Sequence, residues 1–327
     1  MIAPLQQTEL APGPYTAIPM GWYCVGFSSE LAAGSVRAVR YFGEDLALFR
    51  TRKGHARLTT AWCPHLGAHL GHSGEVQQET VRCKFHGFRF DGEGTCVATA
   101  YGHKAPPRAR LRVYPVREHG GLLFAWFHPG GEPPAWELEP LDVTGWSTPR
   151  TSCFSVRGHP QETSENSVDL GHFTVVHTFD AGEQLGDLEL DGPRLRIRHA
   201  IVASAASLGL PPWGRLDITL DLLLSGVGYS LVHGRVAQLG LCTRQLVLST
   251  PIDAEHIELR LWSQARVERG GLLVRGPLAW AFHHGFQHEV RQDLEIWKHK
   301  RFLPRPALAR GDGPIGAYRR WCRRFYA

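Results

Sequence analysis

Two short segments, Cys63-Pro64-His65 and Cys83-Lys84-Phe85-His86, each carry one cysteine and one histidine, with 17 residues between them. Thiolate and imidazole together suit zinc or iron. A zinc finger usually sets two cysteines side by side and two histidines side by side; here each segment donates one of each. That mixed donor set suits a [2Fe–2S] cluster with two thiolates on one iron and two imidazoles on the other, an arrangement that raises the reduction potential above that of an all-cysteine cluster. Gly67, Gly71 and Gly74 follow the first pair, and Gly87, Gly92 and Gly94 the second. They permit tight turns and a close approach of backbone N–H groups to sulfur. His69, His72 and His103 lie nearby without a paired spacing and read as loop or surface histidines.

A second constellation spans Glu165-Asn166-Ser-Val-Asp169-Leu-Gly-His172-Phe-Thr-Val-Val-His177. Asp169 and His172 share a helix face at i, i+3, whereas His177 at i+5 needs a distorted or terminated last turn to come round. Two imidazoles and one carboxylate make the facial triad that leaves positions open on Fe(II) for O2. Asp169 could supply the carboxylate, and so could a distant residue of the last helix.

Short strand-like segments punctuated by glycine run from Trp22 to about Pro134 and predict an all-β unit. The breaker cluster Pro129-Gly-Gly-Glu-Pro-Pro134 places a boundary near 130–140, giving units of 1–135 and 136–327. Pro160 to Phe179 reads as one helical segment carrying the second constellation. Residues 193–268 return to strand-like text consistent with an antiparallel sheet, and a final helix is expected from about Trp280 to Phe302, stopped by Pro304.

Cys63-Pro-His65-Leu-Gly-Ala-His-Leu-Gly and Cys83-Lys-Phe-His86-Gly-Phe-Arg-Phe-Asp-Gly-Glu-Gly resemble the Rieske domain of Rieske non-haem iron oxygenases. Many members carry Tyr and Trp where Phe85 and Phe88 stand, which bears on hydrogen bonds around the ligands and hence on potential. The 166–177 segment is similar to the family's N-x-x-D-x-x-H-x-x-x-x-H motif. The resemblance implies that His172 and His177 bind the mononuclear iron and that Asp169 bridges to a cluster held by Cys63, His65, Cys83 and His86 of a neighbouring subunit. Asn166, one turn before Asp169, is expected to face the iron as a non-ligand or to stand as a plain helix-surface amide. Arg291-Gln292-Asp293-Leu-Glu295-Ile-Trp297 looks like the late-helix element that supplies the third ligand, which falls on Asp293, with Glu289 and Glu295 as fallbacks. The fold implied is α+β: an N-terminal all-β Rieske domain, then a catalytic domain with an antiparallel sheet flanked by helices, of helix-grip type. A head-to-tail homotrimer is implied as well.

Thr95 to Pro106, Gly120-Gly-Leu-Leu-Phe-Ala-Trp126-Phe and Pro134-Ala-Trp136-Glu137 resemble the branch containing bacterial 3-ketosteroid 9α-hydroxylases and cholesterol 7-desaturases. The expected activity is that of an oxidoreductase, a terminal oxygenase. It would use O2 and electrons from NAD(P)H, relayed by a separate reductase with or without a ferredoxin, to hydroxylate or desaturate a small apolar, steroid-like substrate. An aromatic-ring dioxygenase, or an N- or O-demethylase, would carry the same iron sites. A pure Rieske electron carrier would need neither His172, His177 and Asp293 nor residues 140–327. Phe173, Val175, Val176, Phe179, Leu220 to Leu224, Trp280 and Phe282 are candidate pocket walls.

The 327 residues are 43% hydrophobic and 20% charged, the balance of a globular protein. No run approaches the ~18–20 apolar residues of a membrane span, and Met1 to Pro14 has no leader pattern, so a cytoplasmic protein is expected. Seven dispersed cysteines argue for reduced thiols rather than a disulfide framework. Residues 298–327 hold nine Lys/Arg against Asp312. With no nucleic-acid motif beside it, that excess reads as a solvated face or a dock for an acidic redox partner.

Overall fold

The computed structural model describes residues 17–204, 214–267 and 272–326; the N-terminal stretch read above for a leader lies outside them. The N-terminal half is built from short antiparallel strands. Val36–Tyr41, Glu44–Arg50, Ala56–Thr60 and Val113–Tyr114 form one four-stranded sheet, and Gly74–Gln77, Thr80–Cys83, Arg89–Phe90 and Cys96–Ala98 a second. Phe42 and Gly43, at φ 59° and 76°, make the two-residue turn of the first hairpin, a geometry matched to strand twist and available because glycine occupies one of the two positions. The single-turn helix α1 (Leu70–Ser73) is capped by His69, whose ring accepts from the Gly71 N–H.

A third sheet, Gly21–Phe27, Leu122–Phe127 and Val116–His119, is apolar on both faces of its two longer strands. Tyr23, Val25, Leu123, Ala125 and Phe127 face the N-terminal core. Trp22, Cys24, Phe27, Leu122, Phe124 and Trp126 pack on Tyr229, Leu231, Leu246, Leu248 and Trp262 of the C-terminal half. Polar contacts close the same seam. The Phe42 and Gly43 N–H groups donate to Pro251 O and Ile252 O. Buried Arg260 donates to Cys24 O at 2.8 Å and the Tyr41 hydroxyl at 2.9 Å, and pairs with Glu258.

The C-terminal half is an eight-stranded antiparallel sheet in the order Arg150–Arg157, His256–Val267, Leu241–Pro251, Tyr229–Val236, Arg215–Ser225, Arg194–Ser204, Ala181–Gln184, with Glu189–Asp191 also on Arg194–Ser204. Two short helices, α2 (Pro160–Glu165) and α3 (Gly171–Val175), precede its central strands, and the long α4 (Leu272–Trp297) and α5 (Ile315–Cys322) follow. Phe286, Val290, Leu294 and Trp297 recur at helical spacing and seat α4 on Leu259, Leu261 and Phe154. This is the expected sheet gripped by helices.

Two expected boundaries differ. The helix expected over 280–302 is α4, which starts earlier at Leu272 and ends at Trp297, short of Pro304, and α5 follows it; Pro277 costs one N–H bond near the beginning of α4 but does not stop it. The segment 160–179 is two helices rather than one. Between them Val168 is fully buried, and the Leu170 N–H turns away to Asp312 O. Gly313, at φ 84°, lies so close that a Cβ there would sit 2.1 Å from Val168 O. Packing by the C-terminal loop bends the chain, a cause 145 residues away in sequence at Gly313 against Val168. No helix among the described residues is long and apolar enough to cross a membrane.

Candidate metal centres

The two cluster loops are the same device used twice. The Cys63 N–H donates to Ala68 O and the Gly67 N–H back to Cys63 O; the Cys83 N–H donates to Phe88 O and the Gly87 N–H back to Cys83 O. Gly67 and Gly87 stand at φ 72° and 68°, a left-handed conformation in which a side chain is disfavoured. Both thiols are buried in one apolar cluster with Leu70, Phe88 and Phe90. The rings of His65 and His86 meet edge to face at 4.6 Å, and Phe88 stacks on His65 at 4.3 Å. His86 Nδ1 is buried without a hydrogen-bond partner, and burial pushes the Cys63 thiol up to about 11. An orphaned ring nitrogen beside paired buried thiols fits a metal cluster, which deprotonates the thiols and takes the lone pair. Trp62, Leu66, Phe85 and Tyr101 surround these loops and are more than half exposed.

The second centre is assembled from two helices. His172 is the second residue of α3, and the turn after α3 closes with the His177 N–H on His172 O, an i to i−5 bond, followed by Thr178 at φ 55°. That widened turn answers the i+5 problem, and a non-glycine residue in the left-handed region marks strain stored at the site. Asp293 reaches in from α4. The ligand atoms of His172, His177 and Asp293 all lie within 4.8 Å of one another, and His177 Nε2 is 3.6 Å from Asp293 Oδ1.

Each imidazole is held by its other nitrogen. His172 Nδ1 donates to the backbone carbonyl of Asp169 at 2.5 Å, and His177 Nδ1 to Gln292 Oε1 at 3.0 Å. Both Nε2 atoms are thereby left as acceptors for a metal. The Asp169 carboxylate accepts from the His172 backbone N–H at 3.2 Å, and it is the residue's own carbonyl that meets the ring. Burial, reinforced by His177, holds His172 down to about 4; burial also lowers His177. Burial and then Glu289 push the Asp293 carboxyl up to about 7, against a hydrogen bond from Asn166 that lowers it. Two neutral imidazoles and a buried carboxyl with no cation beside it fit a divalent metal.

Among the fallback ligands, Glu295 is exposed on Lys298, and Glu289, one turn before Asp293, is outside the ligand cluster. Of the candidate walls, Phe173 and Phe179 pack with Leu170, Ile201 and Leu220 beside the histidines. Leu222 and Leu224 pack instead beneath α5. Val175, 79% exposed, and Trp280, 54% exposed, are corrected from pocket walls to surface residues, because the break after α3 and the long α4 turn them outward. Sequence reasoning missed Gln292 as the partner of His177, and missed the cluster in which Lys300 and Arg319 meet Glu165 behind the site. An amide or an ion pair at long separation leaves no spacing to read.

Comparison with known proteins decides the family. Residues 21–115 match the model of the Rieske [2Fe-2S] domain, and residues 125–326 that of the 3-ketosteroid 9alpha-hydroxylase C-terminal domain. The chain belongs to this family of Rieske oxygenases. It is 28% identical to the oxygenase component of a 3-ketosteroid-9-alpha-monooxygenase from Rhodococcus rhodochrous, over 100% of this chain and 89% of the relative. It is 30% identical to cholesterol 7-desaturase nvd 1 of Ciona intestinalis, over 94% and 68%. In fold it matches dicamba monooxygenase bound to dicamba, with a TM-score of 0.75 at 20% identity over 93% and 96% of the two chains. NdmA of Pseudomonas putida CBB5 with caffeine gives a TM-score of 0.73 at 16% identity over 92% and 89%. This Rieske oxygenase is thus an oxidoreductase whose cofactors are a [2Fe–2S] cluster and a mononuclear iron.

Proposed function

We propose that the chain is a terminal oxygenase acting on an apolar, steroid-like substrate, by hydroxylation or desaturation. The convergence of His172, His177 and Asp293 beside the apolar wall of Phe173, Phe179 and Leu220 carries this reading. The relatives' activities on ketosteroid and cholesterol give the substrate class. When loaded, the cluster supplies single electrons and the Fe(II) supplies O2 activation.

The protein supplies positions. Cys63, Cys83, His65 and His86 would hold the cluster, and His172, His177 and Asp293 would hold the iron. Asn166 orients the Asp293 carboxylate through its hydrogen bond. Asp169, whose own carbonyl meets the His172 ring, keeps its carboxylate available for a cluster histidine of a neighbouring copy in a homotrimer. Phe173 and Phe179 keep water from the buried face of the ligands. Electrons come from NAD(P)H through a separate reductase, with or without a ferredoxin. The protein works in the cytoplasm, with a Rieske unit of residues 1–135 and a catalytic unit of 136–327.

The test is anaerobic iron and acid-labile sulfide content, with EPR of the reduced protein, on wild type and Asp293→Ala. About three irons should fall to about two with the Rieske signal kept in both. An unchanged content near two would remove the catalytic centre from this reading.

A further inference from the structure

We infer that Gln292 is a positioning residue for the iron ligand His177, and that His288 fixes the direction in which its amide points. The inference rests on the assignment of the His172, His177 and Asp293 centre made above.

A neutral imidazole carries one N–H, and it can offer Nε2 to a metal only when that hydrogen sits on Nδ1. For His172 the acceptor that selects this tautomer is a backbone carbonyl, that of Asp169. For His177 it is a side chain: Gln292 Oε1, 3.0 Å from Nδ1. Gln292 immediately precedes Asp293 on α4, so one helix delivers a ligand and the partner of another ligand from adjacent positions. An amide has two unlike ends and serves as an acceptor only if its oxygen faces the ring. His288, one turn earlier on the same helix face, lies with its Nε2 3.5 Å from Gln292 Nε2. It accepts from the amide nitrogen and so keeps the oxygen on His177. The resulting chain runs in one donor direction, His177 to Gln292 to His288, ending on an exposed histidine. A neutral acceptor also leaves His177 less basic than a carboxylate in the same place would.

The experiment measures Co(II) affinity, by competition with a chromophoric chelator under anaerobic conditions, on full-length protein that retains its cluster. The variants are Gln292→Leu, Gln292→Glu, His288→Leu and Asp293→Ala. Cluster absorbance and the melting temperature of the cobalt-free protein report the fold. Gln292→Leu should bind Co(II) about tenfold to a hundredfold more weakly. Gln292→Glu, which keeps an acceptor, should restore wild-type affinity or better, and His288→Leu should weaken binding less than Gln292→Leu does. Should the leucine variant lose its cluster, Gln292→Ser, whose hydroxyl is too short to reach Nδ1, replaces it. Wild-type affinity in Gln292→Leu or Gln292→Ser, with Asp293→Ala unable to bind, overturns the role of Gln292 and leaves the centre standing. Equal weakening in the leucine and glutamate variants overturns it too, because the acceptor would not be what matters. Wild-type affinity in Asp293→Ala as well would sink the centre itself.

Discussion

The two candidate metal sites, the cluster loops with their cysteine–histidine pairs and the centre of His172, His177 and Asp293, bring their donors together at opposite extremes of contact range. Cys63 to Phe88 is 26 consecutive residues in which each loop is closed by its own backbone hydrogen bonds and its own glycine. The second centre joins α3 to α4 across more than a hundred residues and depends on an i−5 turn, a strained Thr178 and the seating of α4 on the sheet. A site built locally carries its geometry in its spacing, whereas one built across the fold inherits geometry from the core. The first is rimmed by exposed aromatic and aliphatic side chains, whereas the second sits against the buried wall of Phe173 and Phe179.

That contrast is broken most sharply by removing one ligand from each. Cys83→Ala should abolish both sulfide and cluster absorbance and lower the melting temperature, because its side chain is part of an apolar core. His172→Ala should lose only the third iron and keep the Rieske EPR signal; loss of the cluster in that variant would show the two centres to be structurally dependent. Next in size, Asp169→Asn should retain both metals yet turn over roughly a hundredfold more slowly, a loss of the order known for outer-sphere partners. Stopped-flow reduction of the cluster at wild-type rate would locate the defect after it.

A smaller effect separates the buried polar helix behind the catalytic centre from the cluster loops. Burial holds the Glu162 carboxyl up to about 7, against Lys300 nearby. The folded chain then binds this proton more tightly than the unfolded one, so the group's contribution is fully present below the ordinary carboxylate range and is lost as pH rises through about 7. The difference in melting temperature between Glu162→Gln and wild type should grow in the variant's favour from pH 5 to pH 8, by a few degrees. No change in that difference would mean the carboxyl titrates normally. Smallest is charge reversal of the basic tail. Arg319 is committed to Glu165 and to Leu303 O, so the docking test belongs on exposed Arg320 and Arg323. Their reversal should slow reduction by a partner reductase severalfold at low salt and hardly at all at high salt.

The legibility of the sequence follows the same division. Both cluster loops, the alternating strand text and the His172 and His177 pair were readable because donors and glycines repeat at fixed short intervals. Asp293 came from likeness to a family, since nothing in its spacing ties it to α3. The break between α2 and α3 was invisible because its cause is Gly313 against Val168 O. The bounds of α4 were misjudged for a related reason: it begins eight residues before the expected Trp280, with Pro277 inside it, and its length follows its packing on the sheet.

The doubly buried strands Gly21–Phe27 and Leu122–Phe127 bear on how such enzymes can be rebuilt. One side of each strand packs on the N-terminal core and the other on the C-terminal sheet, so the N-terminal half alone would bare a band of Trp22, Phe124 and Trp126, and the C-terminal half alone the facing Tyr229, Leu231 and Trp262. A chimera that borrows the cluster half from a relative must therefore carry over matching residues at Tyr229, Leu231, Leu246 and Trp262. Swapping the electron-entry module to suit a different reductase becomes an exercise in redesigning a sandwich filling, not in joining two beads on a string.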